Sequence, residues 1–530
     1  MNNVDRQRDN RRALLWVGMA TAIGLFLRLW QIAGEGLWID EAFSVWIARQ
    51  SLPAALSWLV RIDQHPPLYY VLLHLWLRLG DDAATVRALS AIVSTLNIPA
   101  IYALGRRLLG SKVGMVAAVV LALSPFHIRF AQEARMYALL SLNVSLSMLS
   151  LAYLLTDPRA SSEPLGRSLL AWLHARRTSA GRPPAGAVRT DLAWAGYVAF
   201  TAATMLTHNT AVLYLAAANV FVLGWIGLGG RRPGEGRWLV RPSLRNWGLA
   251  QVGVLLLWSP WLGAFTVQAL AVYREFWIPA PTWRTVVETV QSLLCWYLPQ
   301  RLSWAWVIWI GYGLLLLLGT YRLRRRPGRA GLLWVAALTP LAGEWLVSLV
   351  RPIFFDHTLI WTTIPLYLLL ALGIRQLSYR SFVLTALAMV ATVNGLSIRE
   401  YHVRFQKEQW DEAAAYVSDR AEAGDLILFH ATWVQIPFDY YFYQPVEERG
   451  VPVDLFDSGV LEPKMTAGDL PRMEALIRDR TRVWLVYSHQ WYTDPQGLVP
   501  AALDRALELQ LRRRFYGLDV RLYGTDRGEP

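Results

Sequence analysis

Apolar residues in this chain do not recur with the period of an amphipathic helix or a half-buried strand; they come in blocks. A helix needs about 20 apolar residues to cross a hydrocarbon core. Blocks at about 13–32, 86–105, 113–125, 138–155, 193–208, 210–228, 247–268, 304–321, 331–349, 358–374 and 382–398 therefore predict about 11 transmembrane helices. Beyond about residue 400 the pattern changes. Short β-favouring runs at 425–431, 451–456, 482–488 and 519–524 alternate with amphipathic stretches at 409–423, 464–479 and 500–514. Strand–helix alternation predicts a small α/β domain. The expected division is thus 1–399, a transmembrane domain, and 400–530, a small C-terminal domain.

Between the blocks, charge sorts by sign. Arg6, Arg8, Arg11 and Arg12 precede the first block, and Arg106, Arg107 and Lys112 follow the second. Arg176, Arg177 and Arg182 lie in the Pro- and Gly-rich stretch 156–191, and Arg231, Arg232, Arg237, Arg241 and Arg245 in 229–246. Arg322, Arg324, Arg325 and Arg326, then Arg375 and Arg380, fill later alternate loops. The positive-inside rule assigns these loops and the N-terminus to the cytoplasm. The carboxylate-bearing loops, chiefly 33–84 and 269–303, and the C-terminal domain then lie outside. The stretches 51–60 and 68–79 are amphipathic pieces suited to the membrane interface. Trp277, Trp283, Trp296 and Tyr297 suit the headgroup level.

Composition adds little to this picture. The net charge of +13 would suggest nucleic acid in a soluble protein; here orientation accounts for it, and no nucleic-acid partner is expected. The single cysteine, Cys295, excludes an intramolecular disulfide. The first apolar block is too long for a signal-peptide core, so it reads as a retained span.

The chain carries no Gly-rich phosphate loop, no HExxH and no paired CxxC, which removes support for a nucleotide-driven pump or a zinc hydrolase. Neither metal nor cofactor is expected. What remains are polar residues on the loops assigned to one side: Asp40-Glu41, His65-Pro66-Pro67, Gln132-Glu133-Ala134-Arg135, and Arg351 with Asp356 and His357. Carboxylates beside a span are costly to desolvate and point to function. The structural alternative is that Asp40 and Glu41 cap a short interfacial helix and face water. Structural charges would scatter over both faces, so convergence on one face implies a shared cavity. His208 and Asn209, between two blocks, read as a polar turn.

Three motifs give this pattern a family likeness: WIDEAFS at Trp38–Ser44, HPPLYY at His65–Tyr70 and AQEARMYAL at Ala131–Leu139. Their order and spacing resemble the GT-C superfamily of polyprenyl-phosphate-sugar-dependent glycosyltransferases. More narrowly, they resemble glycosyltransferase family 39, the protein O-mannosyltransferase and aminoarabinose transferase type. The likeness covers residues 13–155 best and later spans by topology only. It implies a GT-C-like α-helical polytopic membrane protein with an extracytoplasmic C-terminal domain. It also implies that Asp40, in the first external loop, is catalytic. His65 stands where relatives of the aminoarabinose type resemble KPPL, and RPIFFDH at Arg351–His357 departs from an RYL-like pattern.

The implied reaction moves a sugar from a polyprenyl-phosphate donor to an acceptor hydroxyl on lipid, glycan or protein. It needs a group to deprotonate or orient the hydroxyl and cations where phosphate charge grows. Asp40 suits the first role, with Glu41 placed to tune it by like charge or to bind substrate. Arg135 suits the second, because a guanidinium grips phosphate bidentately. His65, Glu133 and Arg351 complete the expected donor-binding set, with interfacial anchoring as the structural alternative for the cations. A transporter or lipid flippase is the rival class. It would place ionisable residues at mid-span and repeat broken helices in paired halves, and neither is evident. A membrane scaffold whose outer domain binds a partner is a further rival.

Overall fold

The computed structural model describes residues 3–63, 65–162, 185–228, 239–271, 280–299, 305–457 and 463–525. Much of the expected loops at 156–191 and 229–246, and Trp277, lie outside the described residues. The chain forms two compact units, one of 1–30, 65–69 and 87–404, the other of 31–64, 70–86 and 405–530.

The first unit is helical. Among the described residues nine helices are long and apolar enough to span a membrane, beginning with Arg11–Leu29 and Ala83–Leu108 and ending with His357–Gln376 and Arg380–Arg404. The chain is a multi-pass membrane protein. The block expected at 193–208 is the helix Ala185–Met205, where Arg189, Asp191 and threonines dilute the apolar run. At the centre lies Thr363–Gln376, buried from Thr363 through Ile374. Leu244–Ala271 and Ala305–Arg322 instead expose Leu255, Leu256, Leu257, Leu314 and Leu317, the apolar surface that lipid covers.

The block expected at 113–125 is bent. Ser111–Ala122 and Pro125–Ala131 meet at 57°. Pro125 has no N–H to continue the first helix, and Ser124 caps the second by accepting from the His127 amide. The break leaves carbonyls of the first helix without the amides that a continuing helix would supply. Arg28, fully buried, donates to the carbonyls of Leu121 and Ala122, to Gly24 and to Ser94. Gln132 then ties the far side of the corner to the carbonyls of Arg28 and Trp30. The corner runs directly into the Glu133–Arg135 segment and the helix Tyr137–Leu154.

The second unit is built on a five-stranded sheet. Its strands are β1 (Leu426–His430), β2 (Glu447–Gly450), β3 (Arg482–Ser488), β4 (Glu508–Phe515) and β5 (Leu518–Gly524). Their order is β2-β1-β3-β5-β4, with β1 parallel to β2 and β3, and β5 antiparallel to β3 and β4. Both faces of the centre are covered, as parallel strands require. Ile427, Phe429, Trp484 and Val486 pack into one core with Trp410; Leu426, Leu428, Val483 and Leu485 pack into the other with Met473.

Two expected elements moved. Residues 451–456 form no strand, because Pro452 cannot donate to a ladder; pairing falls on β2 just before it. The amphipathic helix expected over 500–514 ends at Ala506, and 508–515 form β4 instead, with a bulge between Leu509 and Leu511. Gly517, at φ 86°, supplies the left-handed residue that turns β4 into β5.

Replacing Arg28 with Leu should strand the Ala122 carbonyl at a cost of about 3 kcal/mol. Thermal unfolding in detergent should show a lower melting temperature; an unchanged one would show that the corner is held by other contacts.

Candidate active site

In the helical unit the corner collects charge inside the protein. Glu133 and Arg135 are almost wholly buried. Arg129, one turn before Glu133, donates to its Oε1 at 3.2 Å. Its guanidinium also lies over the rings of Phe130 and Trp296, 4.7 and 4.4 Å from their centroids. Trp296 is thus buried beneath a cation rather than presented at a surface.

A row of rings crosses the same region. His65 contacts His208 edge-on, with centroids 5.3 Å apart. His208 neighbours Tyr137, and Tyr137 lies 4.6 Å from His357. His65 is delivered by Pro66-Pro67, after which the Leu68 amide bonds the Leu206 carbonyl. His208 Nδ1 accepts from the Thr210 amide and starts a short turn. Burial lowers the His208 pKa, and the positive fields of His65, His357 and Arg135 push it the same way, so its imidazole is neutral at neutral pH. His357 pairs with Asp356 at 3.5 Å. Burial alone would raise the Asp356 pKa, but its hydrogen bond with His357 and the charges of His357 and Arg129 hold it below the usual carboxylate range. The result is two guanidinium groups and three imidazoles in one partly buried neighbourhood, rich in donors for an anion.

In the second unit, the helix Ile39–Arg49 begins with Asp40 and Glu41 in its first turn, where acidic groups complement the helix dipole. Capping is therefore part of their role, but Glu41 does not face water. It is fully buried, and Lys407 Nζ donates to its Oε2 at 3.0 Å with both side chains shielded. The next residue, Glu408, accepts from the Ile39 amide at 3.3 Å and from Trp410 Nε1 at 2.7 Å. Tyr441 OH accepts from the Leu37 amide at 2.6 Å. Gly36 passes so close to Asp411 that a Cβ there would stand 2.8 Å from its carboxylate. Asp40 itself is half-buried.

Of the sequence-predicted residues, the structure brings His65 and Arg135 into one neighbourhood and sets Glu133 against Arg129. Arg351 donates to the carbonyl of Ala269, in the last turn of Leu244–Ala271. Asp40 and Glu41 belong to the other unit. Reasoning from sequence missed Arg129, His208 as more than a turn, Lys407 and Glu408. A histidine at an apolar junction was the available signal for His208. Lys407-Glu408, inside the polar run QKEQWDE, carries no local signal.

A membrane unit with a broken span is followed by a small unit with a mixed sheet. Residues 64–164 match the family model described as dolichyl-phosphate-mannose-protein mannosyltransferase. The sequence significantly matches no curated protein. Among solved structures the chain is similar to apo ArnT from Cupriavidus metallidurans, with TM-score 0.64 and 13% identity over 98% of this chain and 100% of that one. ArnT bound to undecaprenyl phosphate matches with TM-score 0.60 and 13% identity, over 96% of this chain and 98% of that one. The archaeal oligosaccharyltransferase AglB from Archaeoglobus fulgidus, in complex with an inhibitory peptide and a dolichol-phosphate, matches with TM-score 0.56 and 10% identity, over 98% and 75%.

Changing Lys407 to Met should leave the Glu41 carboxylate buried and unpaired, costing about 3–5 kcal/mol. Substituting Glu41 by Leu as well should restore most of that loss in thermal unfolding. A double variant no more stable than Lys407→Met would show that the pair is not what holds the motif.

Proposed function

We propose that this chain is a membrane glycosyltransferase that moves a sugar from a polyprenyl phosphate to an acceptor hydroxyl on a lipid, glycan or protein. The observation that carries the reading is the neighbourhood of the Arg135 and Arg129 guanidinium groups with the imidazoles of His65, His208 and His357, within a fold similar to that of ArnT over 98% of this chain. One ArnT structure holds undecaprenyl phosphate and one AglB structure a dolichol-phosphate. An anionic headgroup at the end of a long lipid is the ligand such a neighbourhood suits.

The roles follow from the chemistry. A bond forms between the acceptor oxygen and the anomeric carbon as the bond from that carbon to the phosphate oxygen breaks. The hydroxyl proton goes to Asp40, and the leaving group is the polyprenyl phosphate. Arg135 and His65 bind and neutralise that phosphate, and Glu133 fixes Arg129 beside it. Glu41, paired with Lys407, holds the helix that presents Asp40. Arg351 is an additional donor-side cation whose visible duty is to close a helix end. The alternation of arginine-rich loops supports an N-terminus in the cytoplasm, with the C-terminal unit and the reaction on the outer side.

In proteoliposomes with a labelled polyprenyl-phosphate sugar and an envelope extract as acceptor, the wild type should form a covalent sugar–acceptor product. Asp40→Asn should lower turnover by about a hundredfold or more at normal protein level. Movement of the donor across the bilayer without product would instead identify a flippase. Arg135→Ala should chiefly raise the KM for donor, and an unaltered KM and rate would remove it from the phosphate site.

A further inference from the structure

Behind Asp40 stand two titratable side chains that no motif contains. Glu408 lies on the segment leading into the helix Trp410–Ser418, and His489 follows β3. Glu408 Oε1 and His489 Nε2 are 3.6 Å apart. Glu408 Oε2 accepts from the amide of Ile39, the residue immediately before Asp40. Asp40 acts electrostatically on both, raising the pKa of each. The three groups thus form one electrostatic cluster within the second unit.

The cluster is held with care. His489 adopts a left-handed backbone, φ 56° and ψ 17°, a conformation that non-glycine residues keep only where surrounding structure enforces it. Ser488 Oγ bonds its Nδ1 at 3.0 Å, and Trp433 packs 5.9 Å from its ring. Glu408 is gripped on its other side by Gly517, where a Cβ would stand 2.7 Å from Glu408 Cγ. A structural carboxylate would be satisfied by the Ile39 and Trp410 donors alone; neither needs an imidazole at its second oxygen.

We propose that Glu408 and His489 are positioning residues for Asp40, Glu408 fixing the backbone that presents it and the pair setting the charge it works against. The proposal rests on Asp40 being the group that receives the acceptor proton. Burial, opposed by its hydrogen bonds and assisted by the Asp40 charge, raises the Glu408 pKa to about 7. Burial lowers that of His489, against the pull of Asp40. Once Glu408 has lost its proton, its negative charge stands behind the carboxylate assigned to receive the acceptor proton. Removing the Asp40 charge takes away the smaller of the two influences, after burial, that raise the Glu408 pKa. The charged or titratable groups that act on Glu408 are Asp40 from the helix Ile39–Arg49 and His489 from the end of β3. From the β4–β5 turn, Gly517 packs against its side chain.

The full-length protein in lipid nanodiscs provides the test, through kcat against pH. The wild type should show an ionisation near pH 7, with the rate rising as Glu408 ionises. Glu408→Gln, which keeps an acceptor for the Ile39 amide, should vary by less than about twofold between about pH 6 and about pH 8, with KM for donor unchanged. Glu408→Gln retaining the wild-type profile would overturn the proposal. A second measurement needs no turnover: the His489 imidazole resonance in histidine-labelled protein, assigned by its loss in His489→Gln. It should follow a titration near pH 7 that Glu408→Gln removes and Asp40→Asn moves to lower pH. A resonance indifferent to both variants would also overturn the proposal. If this linkage appears in a protein that transfers no sugar, the glycosyltransferase reading fails and the cluster stands.

Discussion

A charge taken out of water is tolerated only where the protein has built something to receive it, and much of this structure answers to that constraint. Arg28 is surrounded by helix carbonyls and a serine. Glu41 has Lys407, Glu133 has Arg129, and Asp356 has His357. Glu344, buried inside a span, accepts from Thr358 at 2.7 Å. Within helices that expose leucine and valine on their outer faces, such buried polar groups are the points at which packing cannot slip without stranding a charge or a hydrogen bond.

The same constraint explains why a span is broken where it is. A continuous helix through 111–131 would satisfy its own backbone and carry no polar cargo. Breaking it at Ser124-Pro125 releases carbonyls, and Arg28 satisfies them. The chain then turns through Gln132–Arg135 inside the protein rather than in a solvated loop. A guanidinium there meets a lower dielectric than at a surface, so its electrostatic interactions are stronger. The neighbouring histidines add donors without adding fixed charge, since burial keeps His208 neutral.

The loop bearing Asp40 shows a second use of the principle. Its residues group with the C-terminal unit rather than with the spans that flank them. The anchor for Glu41 is 366 positions away in the chain, and the acceptor for the Ile39 amide is the next residue. Residues of the C-terminal part of that unit thus hold the segment that bears the candidate base, Lys407 through Glu41 and Glu408 through the Ile39 amide.

Residue type and periodicity alone determined that the chain spans a membrane many times, because about 20 consecutive apolar residues have no other stable place to go. They also determined the sheet strands β1, β3 and β5, whose β-favouring runs are short and bounded by polar turns, and the candidates Asp40, His65 and Arg135, which sit in motifs. Pro452 was legible too, yet was overridden by the neighbouring apolar signal. Only the tertiary structure decided that Trp296 lies under Arg129, that His208 stands against His65, and that Glu41 is a buried anchor. It alone brought Glu408 and His489 to Asp40. Those facts depend on pairing between residues far apart in sequence, and a polar run such as QKEQWDE looks the same whether water or a buried carboxylate awaits its lysine.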